Sequence, residues 1–219
     1  MFSWLVDSAK HPGWPTTVGP VRLQAGLLTL RPVKMRDGST WSRLRISNQN
    51  ELLPWEPTGV GQWERRHHSS AWAPLHSVLK SEARRGAMLP YVIELDGRYV
   101  GQLTVGNIQR GAVLSAWIGY WVDREHTGRG IAQAAVALGV DHCFGPVGLH
   151  RLDATVQPDN LASQAVLKAI GFREEGLLKR YMDVNSRWRD HLLFAMTSDE
   201  VVGSAVDTLV RSGRALGRV

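Results

Sequence analysis

The sequence predicts an α+β domain built on a mixed, mostly antiparallel sheet flanked by helices. Three observations lead there. Strand-like runs at residues 88–95, 99–107 and 112–122 follow one another closely, and Asp96-Gly97 between the first two is a strong hairpin signal. A strand, a glycine-bearing turn and an apolar helix then succeed each other over residues 115–144. Alternation over His150–Val156 adds a strand after that helix, and such a crossover makes the two strands it joins parallel.

Residues 1–25, rich in Gly, Pro and Thr, read as an irregular arm before a domain spanning 26–197. Leu27–Val33 is a first strand, running into Pro32, and Asp37 to about Asn48 suits a helix. Asn50–Pro57 is a turn-rich loop. Residues 61–85 read as one long polar helix with Trp63, Trp72, Leu75 and Leu79 as its apolar positions, broken or kinked at Pro74. After the meander and the apolar helix, Asn160–Ile170 is a helix with Gly171 as its left-handed stop. Phe172 to Met196 forms a hairpin about Asn185-Ser186. Residues 198–219 supply a last helix, to about Val210, and a mobile basic tail.

Composition narrows the function classes. The chain has 219 residues, 43% of them hydrophobic, and a formal net charge of +6. That hydrophobic share suits a globular core. No run of 18 apolar residues is present, so no membrane span is expected. The first residues lack the basic n-region of a signal peptide, and the single Cys143 cannot form an internal disulfide, which together suggest the cytoplasm. Cys143 reads as a small core residue and a poor nucleophile, with no base arranged beside it. Basic residues are scattered without interleaved aromatics, so no nucleic-acid-binding module is indicated. His67, His68, His76 and His142 lack the cysteine or carboxylate companions of a metal set, and no metal is expected. The nine tryptophans suit buried anchors or the lining of a cleft.

Chemistry concentrates at residues 124–131. Gly128 and Gly130 lie between a strand and a helix start, where backbone N–H groups stand unpaired and the helix dipole is positive. Such a turn suits a phosphate, with Arg129 as a mobile cation, and it also suits an ordinary turn. It is neither a GxxxxGK[ST] loop nor a GxGxxG fingerprint.

Taken together, the motifs resemble the GCN5-related N-acetyltransferase (GNAT) family, and most closely its RimJ/RimL-type branch, which acetylates N-terminal amines of ribosomal proteins. The stretches that carry the resemblance are Leu53–Pro57, Ile118–Val122 with Gly128–Ala132, His150–Ala154 with Asn160–Ser163, Gly171–Gly176, and Trp188–Asp190. The likeness runs from about Leu27 to Met196. It implies acetyl-CoA as co-substrate and a central strand splayed from its neighbour. Tyr120, Trp121 and Val122 would pair with the pantetheine arm, and Thr127, Gly128, Arg129, Gly130, Ile131 and Ala132 would hold the pyrophosphate. Asn160 caps its helix or, by resemblance, reaches the pantetheine. Asn160, Ser163, Gln164 and Leu167 share one helix face, which would line the gap. Glu125 stands where the family turn often begins with Gln or Arg, and Leu167 where many members carry a Tyr acid. Ser163 matches the serine proposed as that acid in this branch.

The mechanism implied is direct transfer in a ternary complex. Ser163 would supply the leaving thiolate's proton, and a backbone N–H near Trp121 the oxyanion donor. Glu175 is the catalytic carboxylate expected, with Glu94 and Asp183 unranked beside it as bases; each also fits a surface ion pair. The acceptor expected is the N-terminal α-amine of a ribosomal or other protein, with the enzyme a monomer or homodimer, free of membrane, and with ribosome association permitted because basic charge allows docking on RNA-rich particles. Two alternatives stand beside it: acetylation of a small amine (amino acid, polyamine or aminoglycoside), and a catalytically silent CoA-binding sensor or assembly factor.

Overall fold

The computed structural model describes residues 13–219. Residues 1–12, part of the expected arm, lie outside the described residues. Alternating apolar side chains place nine strands in one sheet: β1 (Val18–Leu23), β2 (Gly26–Pro32), β3 (Met88–Leu95), β4 (Arg98–Gln109), β5 (Ser115–Val122), β6 (Arg151–Val156), β7 (Arg173–Val184), β8 (Arg187–Thr197) and β9 (Gly217–Arg218). Their spatial order is β7-β8-β6-β5-β4-β3-β2-β1-β9. Every pairing is antiparallel except β5 with β6, where the right-handed crossover constraint of a βαβ unit applies.

Helices cover both faces. On one lie α1 (Gly38–Ser47), the single-turn α2 (Gln49–Leu52) and α3 (Trp63–Arg66), and α4 (Trp72–Arg84). Trp41, Trp72, Val33 and Val92 form the apolar cluster there, with Leu75, Leu79, Tyr99 and Trp121 against it. On the other face lie α5 (Ile131–Phe144), α6 (Leu161–Ile170) and α7 (Ala205–Arg211), over the main core. Residues 134–138 of α5 have no exposed surface, because this helix is apolar all round and is enclosed by the sheet, α6 and α7. At Gly139 an added Cβ would meet methyls of Ile118 and Leu103 at 3.2–3.3 Å, so the missing side chain lets helix and sheet approach.

Three expectations are corrected. Val18–Leu23 is a strand, not irregular lead-in: Val21 and Leu23 point into the core, and the strand pairs with β2. The tail expected to be mobile pairs with it as β9, and Arg218 bonds Asp141 on α5. The 61–85 segment breaks at residues 67–71, and Pro74 sits undistorted in the first turn of α4, where its missing N–H has no helical partner to lose.

Candidate active site

The site begins where the two parallel strands part. β5 and β6 pair only at Ser115–Arg151, Ala116–Leu152 and Trp117–Asp153. Beyond that, β5 stays on β4 as far as Val122, and β6 stays on β8 as far as Val156. The wedge between them opens a cavity of about 810 Å³. Ile118, Gly119, Tyr120 and Trp121 line one side and Thr155, Val156, Asn160, Ser163 and Leu167 the other.

Register decides which backbone groups face the wedge. Asp123 N–H donates to Val100 O at 2.8 Å, and antiparallel pairing alternates, so Trp121 N–H and C=O turn toward Gln102 of β4. An added Cβ on Gly101 would strike Trp121 O at 2.3 Å, which places that carbonyl on β4 as well. The groups left facing the wedge belong to Tyr120 and Val122. Trp121 is therefore not the backbone donor the sequence suggested. Its side chain instead lines the opposite face, where Nε1 donates to Gln102 Oε1 at 3.1 Å.

At the wedge's mouth the chain makes a 3-10 turn (Arg124–His126) and enters α5 through Gly130, the N-cap residue, at φ +77°. Gly128 has φ +72°; both glycines adopt left-handed conformations that other residues resist. The amides of Gly128, Arg129, Gly130, Ile131 and Ala132 have no acceptor among the described residues. Thr127 N–H, expected to join them, donates to Arg124 O at 3.3 Å within the turn. Arg129 and Glu125 are exposed. Asn48, fully buried at the end of α1, clamps the turn: Nδ2 donates to Asp123 Oδ1 at 2.8 Å, and Oδ1 accepts from Arg124 N at 2.7 Å. Asp123 in turn holds His126 Nδ1 at 3.0 Å.

Across the wedge, Tyr120 Oη lies 3.0 Å from Ser163 Oγ. Burial pushes the Tyr120 hydroxyl up to about 12, so it stays protonated and can supply a hydrogen to Ser163. Asn160 caps α6, its Oδ1 accepting from Ser163 N at 3.0 Å, and it also lines the cavity. Both readings of Asn160 are thus compatible with its position.

Glu175 is not brought to the wedge. Arg151 grips both its oxygens, at 3.1 and 2.5 Å, and Arg173 holds one at 2.6 Å; these guanidiniums keep the carboxyl below its ordinary range. Glu94 pairs with Arg31 at 2.5 Å, and Asp183 Oδ1 accepts from Thr58 Oγ1 at 2.9 Å. All three serve packing on strands or loops. Cys143 is buried and its thiol pushed up to about 12, which removes it as a nucleophile.

The opposite wall contains residues the motifs did not single out. Trp41, Arg45, Trp55, Glu56, His67, Leu75, Tyr181 and His191 line it. Trp55 and Glu56 lie within the Leu53–Pro57 loop, the one sequence signal that pointed here; Arg45 and His67 come together only in the fold. Gln157, just after β6, donates to Pro54 O at 2.9 Å and holds that loop at the wedge. Both expectations for the tryptophans are met: Trp63 and Trp72 are buried anchors, Trp55, Trp117 and Trp121 line the cavity, and Trp41 is buried and lines it as well.

Comparison with known proteins agrees with this geometry. A solved structure of Mycobacterium smegmatis RimJ in complex with CoA-disulfide is 58% identical, covers 94% of this chain and 98% of that one, and superposes with a TM-score of 0.93. The Escherichia coli [ribosomal protein uS5]-alanine N-acetyltransferase is 26% identical over 190 residues, 86% of this chain and 96% of that protein. A probable N-acetyltransferase of Bacillus subtilis, YjcK, is 40% identical over 105 residues, which is 48% of this chain and 58% of that protein. The family model for the acetyltransferase (GNAT) domain matches residues 28–173, from β2 to the start of β7. The chain belongs to the GNAT acetyltransferase family.

Proposed function

We propose that this acetyl-CoA-dependent N-acetyltransferase acts on the N-terminal α-amine of a protein, a ribosomal protein being the acceptor class, in the cytoplasm. The observation that carries the reading is the wedge between β5 and β6, with unpaired backbone at its edge and free amides at its head. The bound co-substrate supplies the activated acetyl group. Tyr120 and Val122 would pair with its pantetheine arm as a neighbouring strand does. The amides of Gly128–Ala132 and the start of the 14-residue α5 would hold the pyrophosphate, with Arg129 free to add its charge. No described helix is long and apolar enough to cross a membrane.

In the transfer, the amine nitrogen bonds to the acetyl carbon and the carbon–sulfur bond breaks. A wedge-facing N–H of Tyr120 or Val122 suits the oxygen that gains charge. Ser163 Oγ, backed by the Tyr120 hydroxyl, suits hydrogen donation to the leaving sulfur. An α-amine has a reference pKa of about 7.7–8.0 against about 10.4 for lysine, so a large share is neutral near pH 7.5 without a strong base. The relatives named for ribosomal-protein alanine acetylation support this acceptor, because the alignment with the Escherichia coli enzyme covers nearly its whole length.

The test is a calorimetric titration with acetyl-CoA beside ATP and NAD, followed by mass spectrometry of a panel of N-terminal peptides and small amines. Binding of acetyl-CoA alone, with acetyl added to a peptide α-amine, is expected. Acetylation of spermidine or a free amino acid in preference to every peptide would overturn the acceptor assignment. Absence of acetyl-CoA binding would overturn the wedge as its site.

A further inference from the structure

We infer that Glu56 is the carboxylate that receives the acceptor amine, and that Arg45 is the positioning residue that holds it there. Glu56 Oε1 is ion-paired with Arg45 Nη1 at 2.6 Å, while no hydrogen bond among the described residues reaches Oε2. Glu56 is 28% exposed and lines the main cavity. It also lines a second cleft of about 360 Å³, bounded by Thr58, Gln62, Arg66 and the hairpin turn at Asn185-Ser186. One carboxylate therefore stands where a surface cleft meets the wedge. An amine carried on a longer chain can reach the thioester through that junction, its chain remaining in the cleft.

Arg45 has no freedom to leave. It is 5% exposed, and its guanidinium lies over the rings of Trp63, at 4.8 Å, and Trp121, at 5.3 Å. His67 fixes its other end. Trp63 O can only accept, so His67 Nδ1, 2.9 Å away, carries the ring proton. Nε2 is then a lone pair facing Arg45 Nη2 at 3.0 Å. Burial and the neighbouring guanidinium lower His67 to about 4, which keeps the ring in this neutral form at physiological pH. The relay from Trp63 O through His67 and Arg45 sets one oxygen of Glu56 and leaves the other for the amine. As the carbon–nitrogen bond forms and the carbon–sulfur bond breaks, the amine's proton passes to Oε2 and the sulfur takes up one through Ser163. Solvent returns the proton from Glu56, so the turnover balances.

This assignment rests on the acetyltransfer reaction and not on which amine is acetylated. The experiment uses the full chain and whichever acceptor of the panel, peptide or spermidine, it turns over fastest, so an unexpected acceptor and a wrong carboxylate are separate results. Glu56→Gln should lower kcat/KM for the acceptor by about 10²-fold, the lower end of general-base contributions, and leave the acidic limb of its pH profile to the amine's own ionisation. Its acetyl-CoA Kd should stay within about twofold. Glu56→Asp should recover part of the rate. Arg45→Lys, which keeps the charge but cannot hold Glu56 and His67 together, should lower kcat/KM by about tenfold with the acetyl-CoA Kd unchanged. Glu56→Gln within about threefold of the parent, or a loss explained by weaker acetyl-CoA binding, overturns the assignment of Glu56. Full activity in Arg45→Lys overturns the role of Arg45.

Discussion

Replacing Asn48 by alanine should destabilise the protein and loosen the glycine turn at once. Asn48 is fully buried, and its amide ties the end of α1 to the turn at residues 123–124. Nδ2 donates to Leu44 O at 2.9 Å within its own helix and to Asp123 Oδ1 at 2.8 Å, and Oδ1 accepts from Arg124 N at 2.7 Å. Alanine leaves two groups across the interface without those partners: a carboxylate on a residue only 5% exposed, and a backbone N–H at the start of the 3-10 turn. Each orphaned group costs about 1–3 kcal/mol, the charged one at the upper end, and His126 still holds the second oxygen of Asp123. The sum is about 3 kcal/mol. For a domain of this size 1 kcal/mol moves Tm by about 2–4 °C, so the variant should melt about 6–12 °C lower. The same turn presents the amides of Gly128–Ala132, so acetyl-CoA affinity should fall by about tenfold. Scanning calorimetry without ligand and isothermal titration with acetyl-CoA read the two effects. A melting temperature within about 2 °C of the parent would show that water or a small shift satisfies both groups, and the clamp argument would fail.

Three further outcomes are expected. Ser163→Ala should reduce kcat by at least about tenfold while acetyl-CoA binds nearly as before, because in the proposed transfer the hydroxyl acts on the leaving sulfur; unchanged turnover in a stopped-flow assay of thiol release removes it from the chemistry. Gly130→Ala imposes a side chain at φ +77°, at a cost of about 1–2 kcal/mol; since its Cβ would come no nearer than 3.5 Å to Arg214 O, the cost should appear as strain and as weaker acetyl-CoA binding, and an unaltered Kd would count against the cradle. Stability should also fall in acid through His67. Its folded value is lowered from 6.5 to about 4, so above pH 6.5 both folded and unfolded states hold it neutral and nothing is lost. As pH drops from 6.5 toward 4, the unfolded chain takes up the proton first, and up to about 3 kcal/mol of stability goes. Urea unfolding at pH 7 and pH 5 should show that slope flattened in His67→Gln, and an equal slope in both proteins would refute the origin.

Much of the fold is legible because its strands and helices carry local signals. Asp96-Gly97 turns β3 into β4, Gly171 stops α6 at φ +111°, and Asn160 caps its start. Gly128 and Gly130 mark the head of α5 for the same reason, since a left-handed backbone selects glycine by sterics alone. The misreadings fall where neighbours far along the chain decide the outcome. The Gly/Pro-rich segment around residues 18–23 becomes a strand because β2 and β9 flank it, and the tail orders because Asp141 on α5 holds Arg218. Glu175 looks available in sequence, but two arginines from β6 and β7 surround it once the hairpin folds onto β6.

By itself the sequence determined the order of the strands from β2 to β8, the parallel crossover and the place of the glycine turn before α5, because periodicity, glycine sterics and capping act over a few residues. It also determined the family, through short motifs kept in one order. Only the tertiary structure decided which edge of β5 faces the wedge, since that depends on hydrogen-bond register with β4. Only the tertiary structure brought Asn48 to Asp123, and Arg45 to Glu56 and His67. Those contacts join different elements, and their energies come from burial and from partners that no local stretch of chain contains.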